Sequence, residues 1–268
     1  MTKPQRCAII VPSKGKELNI KIDHRHHYVL VFDTETANTL EDNGTLDMSN
    51  VLVYDCGWAI VDTKGNVYLE RSFVNTDIFE LSDLMNSAYY AKKIPIYLAD
   101  LVHGTRTPAT TYEIRKQMLM DIADFGITEV VAHNARFDVN ALNSTIRWQT
   151  KSKFRYWLPF GIEVWDTMKM ARSVIHKMPT YRKFCEEHNL LTATGRLSTT
   201  AENLYKFIVN DVDFEESHTG LEDVRIEREI MWYCYKQHKP MEKVLYARPD
   251  TPPPTELQKQ IMFFVKNS

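Results

Sequence analysis

The amino-acid sequence contains no long hydrophobic run. No stretch approaches the roughly 18 apolar residues that a transmembrane helix needs, so we expect no membrane span. The apolar run at residues 7–11 is too short for the core of a signal peptide, and no cleavage pattern follows it. These absences predict a cytoplasmic protein that has no membrane partner.

Cysteine is also scarce. The four cysteines lie far apart, and no two of them form a Cys-x-x-Cys pair. They are Cys7, Cys56, Cys185 and Cys234. Disulfide scaffolds and structural zinc sites need numerous or closely spaced cysteines. We therefore expect reduced thiols that are buried in the core.

An excess of charge of one sign is missing as well. The 33 basic and 35 acidic residues leave a formal charge of -2, whereas proteins that coat nucleic acid by bulk charge are usually strongly basic. Any contact with nucleic acid must then be local, through a basic patch or through cations held by acidic side chains. With 268 residues, 44% of them hydrophobic, the chain can bury a substantial core as one domain with elaborations.

The order of the predicted elements is typical of an α/β protein with a mixed sheet flanked by helices. The apolar run 28–32 predicts a buried central strand, and 51–63 and 67–74 predict two strands that are joined by a turn. Further strands are predicted at 129–132 and 163–165, and helices over 77–125 with a break at 104–108, over 136–148, after 166–167 and over most of 181–237. An antiparallel hairpin joined to parallel strands fits a ribonuclease-H-like architecture. The order alone does not separate this architecture from other α/β folds.

Two carboxylates end the predicted central strand. Side chains alternate between the faces of a strand, so Asp33 and Glu35 point to the same side. Neighbouring carboxylates repel each other unless a cation lies between them, and a hard ion such as Mg²⁺ or Mn²⁺ prefers oxygen ligands. Taken alone, Asp-x-Glu is a weak signal, since it is more often a solvated strand end.

A second motif, His-Asn-Ala-Arg-Phe-Asp, spans residues 133–138 at a predicted strand-to-helix turn. Asp138 falls in the first turns of the helix, where the helix dipole favours a carboxylate. Asn134 can hydrogen-bond either the turn backbone or a nucleotide, and we favour the backbone.

A third motif spans residues 218–223, before a late helix. Asp223 would lie in the first helical turn, and His218 would lie in the loop before it. Gly220, between them, permits a close backbone approach or the entry into the helix. The charged stretch 222–229 is otherwise predicted to be a solvated helix face, with Asp223 as the exception.

Together, the three motifs in this order resemble those of the DEDDh-type 3′–5′ exonucleases, which include proofreading exonuclease subunits, ribonuclease T and oligoribonuclease. The resemblance covers residues 28–236. The predicted strand at 163–165, followed by Asp166 and Thr167, resembles the strand and Asp-Thr step that the family has between the second and third motifs. Two positions depart from the pattern, because Gly220 and Val224 stand where many relatives carry alanine.

The resemblance implies a two-metal active site with five reactive residues. Asp33 would bridge two divalent cations, Mg²⁺ or Mn²⁺, that lie about 4 Å apart in this family. Glu35 and Asp223 would complete the first metal site, and Asp138 would hold the second cation through water. His218 would act as the general base toward the attacking water. The product would be a nucleoside 5′-monophosphate.

The resemblance also implies a nucleic acid as partner, bound through a single-stranded or frayed 3′ end, with DNA favoured over RNA. Thr34, Thr36 and Asn134 are the candidate substrate-binding residues. A homodimer and a complex with a replication protein are both open. We expect an N-terminal extension at 1–26, the exonuclease domain at 27–240, and a proline-containing linker with a short amphipathic helix at 241–268.

Two alternative functions remain open. A catalytically silent binding module would lack one or more reactive residues, and an endonuclease of the wider ribonuclease-H class would not need the His-x-x-x-x-Asp pair. Four cations and four aromatic residues alternate over 147–157, which is typical either of single-strand binding by stacking or of a loop whose aromatic residues enter the core. The histidines at 24, 26 and 27 are interpreted as a polar lead-in to the first strand.

Overall fold

A mixed β-sheet forms the centre of the molecule. The computed structural model describes residues 22–37, 51–87 and 91–248. Among these residues the sheet has seven strands in the order β4-β3-β2-β1-β5-β6-β7. The strands are β1 Tyr28–Thr36, β2 Val53–Asp62, β3 Val67–Asn75, β4 Thr107–Ala109, β5 Glu129–Ala132, β6 Glu163–Asp166 and β7 Val244–Tyr246. β1 pairs antiparallel with β2 and parallel with β5, so it lies in the middle of the sheet.

Helices pack on both faces and at one end of this sheet. They are α1 Thr76–Phe79, α2 Ser82–Ser87, α3 Ile94–His103, α4 Thr111–Phe125, α5 Arg136–Thr150, α6 Thr167–Ser173, α7 Pro179–Glu187, α8 Ala201–Val209 and α9 Gly220–Lys236, with 3₁₀ turns at Ala91–Lys93 and Ile175–Lys177. This arrangement confirms the predicted α/β class and the mixed sheet.

The alternation of side chains along β1 divides the core in two. Leu30 and Phe32 face α4 and α5, whereas Val29 and Val31 face α6 to α9. Continued by two residues, the same alternation directs Asp33 and Glu35 toward α9 and Thr34 toward α5. The strand thereby delivers polar groups to both faces at its carboxyl end.

The hairpin between β2 and β3 forms where the sequence predicts it. The Asp62 carboxylate accepts hydrogen bonds from the backbone N–H groups of Lys64 and Asn66, at 2.9 and 3.0 Å. Gly65 has a φ of +88°, which a residue with a side chain rarely adopts. The turn is thus determined by local chemistry.

Strands β4 and β7 are absent from the sequence prediction. β4 lies at the break that was expected in the long helical region, and it pairs with β3. β7 lies beyond residue 240 and forms the edge of the sheet beside β6. Strands of three residues are too short to show a period of two, and β4 contains Pro108, which disfavours strand prediction. The predicted terminal helix at 256–265 and most of the predicted extension at 1–26 lie outside the described residues.

Three of the four cysteines fall within the described residues, and each is a buried free thiol: Cys56, Cys185 and Cys234. This agrees with the predicted absence of a disulfide scaffold for these three positions. No helix in the described ranges has the length and apolarity that crossing a membrane requires.

Candidate active site

A cavity of about 520 Å³ opens at the carboxyl end of β1, between the sheet and α9. Seven of the residues singled out from the sequence line it, although they come from three distant parts of the chain. These are Asp33, Thr34, Glu35, Thr36, Asn134, His218 and Asp223. The fold therefore brings the three sequence motifs to one place.

Asp138, the remaining carboxylate, lies behind Thr34. Its Oδ1 accepts a hydrogen bond of 2.8 Å from the Thr34 hydroxyl, and its side chain is only 2% exposed. The alternation of β1 directs Thr34 to the α5 face, where it meets Asp138 in the first turn of α5. Thr34 was singled out as a substrate contact, and the structure gives it a further role, because it orients this carboxylate.

Asp223 enters the cavity from the first turn of α9, and the position of that turn depends on a close backbone contact. A methyl group built on Gly57 of β2 would lie 2.4 Å from the backbone nitrogen of Leu221. One built on Gly220 would lie 2.9 Å from the nitrogen of Gly57. Both distances are shorter than van der Waals contact, so α9 can approach β2 this closely only because both positions are glycine. The departure from alanine at position 220 has its explanation here.

A buried ionic network fixes the same helix terminus. Arg106 is 4% exposed, and its guanidinium donates to Asp55, Asp100 and Glu222 at 3.1, 2.9 and 2.8 Å. The Asp55 carboxylate also accepts from the backbone N–H of Gly220 at 2.8 Å. Sequence reasoning missed Asp55 and Arg106, because neither belongs to a motif and their partners are distant in sequence.

His218 lies in the loop before α9 with a φ of +49°, in the left-handed region. A non-glycine residue there stores backbone strain, which is often found at functional sites. The ammonium of Lys93 donates to the backbone oxygen of Ser217 and, at 3.3 Å, to that of His218. The imidazole is 38% exposed, and ligand atoms of His218, Glu35 and Asp223 lie within 4.8 Å of one another.

The electrostatics of the cavity disfavour several negative charges at once. Burial, reinforced by the charge of Glu216, raises the pKa of Asp223 to about 8. Burial also raises the pKa of Asp138 to about 7, against the opposing effect of the Thr34 hydrogen bond. The pKa values of Asp33 and Glu35 are raised well above the ordinary value, first by burial and then by neighbouring carboxylates. The histidine behaves in the opposite way: burial, then the charge of Lys93, lowers the pKa of His218, which keeps its imidazole neutral.

Glu227 is a further carboxylate at the cavity, and its prediction as part of a solvated helix face is wrong. The residue is 2% exposed and lines the cavity together with Asp33 and Asp223. It follows Asp223 by four positions, and residues at this spacing lie on one face of a helix. That spacing is the signal in the sequence that could have identified it.

The turn after β5 forms another part of the cavity wall through His133 and Asn134. Asn134 also has a left-handed backbone, with a φ of +58°, and its backbone N–H donates to Asp166 at 3.1 Å. His133 is bonded to the Thr167 hydroxyl at 2.8 Å and to the backbone oxygen of Thr199 at 2.7 Å. Both nitrogens of this imidazole are thereby engaged, so His133 connects the turn after β5 to α6 and to the loop before α8.

The basic and aromatic segment 147–157 lies at the other end of α5. Trp157 is 2% exposed and packs in the core, whereas Phe154 and Tyr156 are 73% and 60% exposed. The Arg147 guanidinium lies 4.9 Å from the centre of the Tyr156 ring. Since α5 has 15 residues and an α-helix rises 1.5 Å per residue, this segment is roughly 20 Å from the cavity. The core interpretation is confirmed for Trp157, and stacking on single strands stays a prediction for the exposed Phe154 and Tyr156.

The donor set of the cavity fits hard divalent cations. Carboxylates from β1, α5 and α9 converge, and the charges of Asp138 and Asp223 raise the pKa values of Asp33 and Glu35. Carboxylate oxygens are the ligands that Mg²⁺ and Mn²⁺ prefer, and a cation among them would relieve their mutual repulsion.

The chain matches no family model and no curated protein by sequence. Its fold is similar to those of solved nucleases. The nuclease domain of 3'hExo, a DEDDh family member bound to rAMP, has a TM-score of 0.50 and 12% identity, and the match covers 84% of this chain and 99% of that domain. Exonuclease I from Methylocaldum szegediense has a TM-score of 0.50 and 13% identity, over 80% of this chain and 41% of that protein.

The zinc-bound complex of E. coli ExoI with single-stranded DNA has a TM-score of 0.49 and 12% identity, and the match covers 79% of this chain and 41% of that protein. This chain thus spans about two fifths of the length of the exonuclease I proteins and nearly all of the 3'hExo nuclease domain. Its fold, a seven-stranded mixed sheet flanked by helices in the described residues, is that of the nuclease domain of 3'hExo.

Proposed function

We propose that this chain is a 3′–5′ exonuclease that hydrolyses the terminal phosphodiester bond of a nucleic acid with the help of two divalent cations. The observation that carries the proposal is the meeting of Asp33, Glu35, Asp138, His218 and Asp223 around one cavity, from β1, α5 and the start of α9. The similarity in fold to solved 3′-exonucleases supports it.

The carboxylates of the cavity are the residues that would hold the cations. We assign Glu35 and Asp223 to one cation, Asp138 to the other and Asp33 to both. Bound Mg²⁺ or Mn²⁺ supplies Lewis-acid stabilisation of the charge that develops on the phosphodiester oxygens. Thr34 contributes by orienting Asp138, because its hydroxyl donates a hydrogen bond to Oδ1 of that carboxylate.

We assign the general base to His218. Its imidazole is partly exposed at the cavity, and its lowered pKa keeps the ring ready to accept the proton of the attacking water. Lys93 is a positioning residue in this scheme, since its ammonium holds the backbone of Ser217 and His218. The same ammonium favours the charged form of Glu35.

The substrate that we propose is a single-stranded or frayed 3′ end, with DNA favoured over RNA, and the product is a nucleoside 5′-monophosphate. Thr36 and Asn134 line the cavity and stay our candidates for contacts with the terminal nucleotide. A homodimer and a complex with a replication protein both remain proposals.

A product ladder tests this function. The protein is incubated with 5′-labelled single-stranded DNA, duplex DNA, a mismatched primer-template and RNA, each with Mg²⁺, with Mn²⁺ and with EDTA. We expect shortening by one nucleotide at a time from the 3′ end, lost in EDTA and restored by either metal. Asp33→Asn should abolish hydrolysis and leave the circular dichroism spectrum unchanged.

Other outcomes would separate the competing functions. Internal fragments from a 3′-blocked substrate would indicate an endonuclease. Tight binding of the oligonucleotides with no hydrolysis under any condition would indicate a binding module. Full activity of the Asp33→Asn variant would remove the two-metal assignment.

A further inference from the structure

Glu227 is a carboxylate at the cavity that none of the three motifs contains. It lies in the second turn of α9, is 2% exposed and lines the cavity wall. Its Oε2 has no hydrogen-bond partner within the described part of the chain. A buried carboxylate oxygen without a partner costs free energy, so such a group requires an explanation.

Apart from a hydrogen bond with the backbone of His133, the groups that act on Glu227 are negatively charged. The charge of Asp138 acts on Glu227 more strongly than any other neighbouring charge, and those of Asp223 and Glu216 follow. The guanidinium of Arg106, which reaches the start of α9 through Glu222, is paired with Asp55, Asp100 and Glu222 instead. A carboxylate in this position is stabilised when a cation enters the cavity.

The carboxylates fall into two groups. Ligand atoms of Glu35, Asp223 and His218 lie within 4.8 Å of one another, which marks one end of the cavity. Asp33 and Glu227 line the same cavity but lie outside that cluster, and Asp138 and Glu227 are the neighbouring charges that act most strongly on Asp33. Glu227 therefore lies on the side of the cation that Asp138 would hold.

We infer that Glu227 is a further metal ligand, and that its Oε2 coordinates the cation held by Asp33 and Asp138. This inference rests on the two-cation centre proposed above and adds to it. The resemblance to the exonuclease family assigns the second cation mainly to Asp138 through water. In this chain, two carboxylates from opposite faces of the sheet would share that cation, so it is bound more tightly.

Calorimetric titration with Mn²⁺ tests the inference independently of hydrolysis. We expect two Mn²⁺ ions in the wild type and a loss of affinity of at least about tenfold at one of the two sites in Glu227→Gln, because the loss of even an indirect partner lowers metal affinity roughly 10- to 100-fold. Glu35→Gln should weaken the other site. Glu229→Gln is the matched control. Glu229 lies on the same helix, but the neighbouring charges that act on it are those of Arg228 and Lys236 instead of the cavity carboxylates.

Unchanged Mn²⁺ affinity in Glu227→Gln would overturn the inference and assign Glu227 a structural role only. If that variant does not fold, Glu227→Asp replaces it: withdrawing the carboxylate by one methylene should still weaken one site, and unchanged affinity would again overturn the inference. The increase in melting temperature on addition of Mn²⁺ gives a second readout, and it should be smaller in either variant than in Glu229→Gln.

The titration and the product ladder can fail separately. Binding of Mn²⁺ that depends on Glu227, in a protein that hydrolyses no nucleic acid, would overturn the proposed function and leave the ligand assignment intact. If the wild type hydrolyses nucleic acid and Glu227→Gln binds Mn²⁺ as the wild type does, the ligand assignment alone is overturned.

Discussion

His218 combines three properties that suit a proton acceptor. Its backbone is left-handed, its imidazole is partly exposed at the cavity, and its pKa is lowered by burial and by the charge of Lys93. The strain of the backbone is offset by the ammonium of Lys93, which bonds the carbonyl groups of Ser217 and His218. The position of the base is thus held by a residue more than a hundred positions earlier in the chain.

Replacing His218 by alanine should reduce turnover while leaving substrate affinity nearly unchanged. General-base catalysis contributes about 10²- to 10⁴-fold, so we expect a decrease of kcat in this range. Single-turnover kinetics and anisotropy with a labelled oligonucleotide measure the two quantities separately. A variant whose affinity decreases while its single-turnover rate persists would contradict the assignment of the base.

The start of α9 is the element on which the site depends. It carries Asp223 and Glu227, and it touches β2 through the glycine pair at positions 57 and 220. Asp55 bonds the N–H of Gly220, and Arg106 connects Asp55 to the first turn of the helix. Close packing and a buried ionic network therefore hold the same helix terminus against the sheet.

Gly220→Ala should destabilise this protein. Alanine is the better helix former by about 1 kcal/mol, but its methyl group would press against the backbone of Gly57. We expect a net loss of roughly 1–3 kcal/mol in the free energy of unfolding, measured by urea denaturation. Gly57→Ala should cost more, because its methyl group would approach Leu221 more closely. An equal or greater stability of Gly220→Ala would contradict the packing argument.

Across the whole molecule, the sheet gathers carboxylates that approach from both of its faces. The alternation of β1 directs Asp33 and Glu35 to one face, while Thr34 meets Asp138 on the other. Without cations, this arrangement opposes folding once the carboxylates ionise, because each charge is buried beside others of the same sign. The stability of the molecule is therefore linked to pH and to metal.

The melting temperature in EDTA should decrease as the pH rises through about 7 and about 8, the pKa values of Asp138 and Asp223. Their folded pKa exceeds the unfolded value, so the folded state binds more protons and stability present in acid is lost as the pH rises. Saturating Mn²⁺ should abolish this decrease, and Asp223→Asn should reduce it. A pH-independent melting temperature in EDTA, measured by scanning calorimetry, would contradict the linkage.

Much of the fold and site follows from local chemistry. The apolar run before Asp33 predicts the central strand, the turn residues at 63–66 predict the hairpin, and period-two alternation predicts that Asp33 and Glu35 share a face. The two three-residue strands, β4 and β7, could not be predicted, because strands of this length lack a period and exist only through pairing with a neighbour.

The sequence by itself determined which groups can do the chemistry, because a side chain's functional group and the face of its own strand or helix are local properties. Only the tertiary structure decided which of them lose contact with water. Glu222 and Glu227 lie on the same helix, yet Glu222 pairs with Arg106 and has a side chain that is 40% exposed, while Glu227 is buried at the cavity. That difference depends on how closely α9 approaches β2, and the approach is set by Gly57 and Gly220, which are distant in sequence and adjacent in the fold.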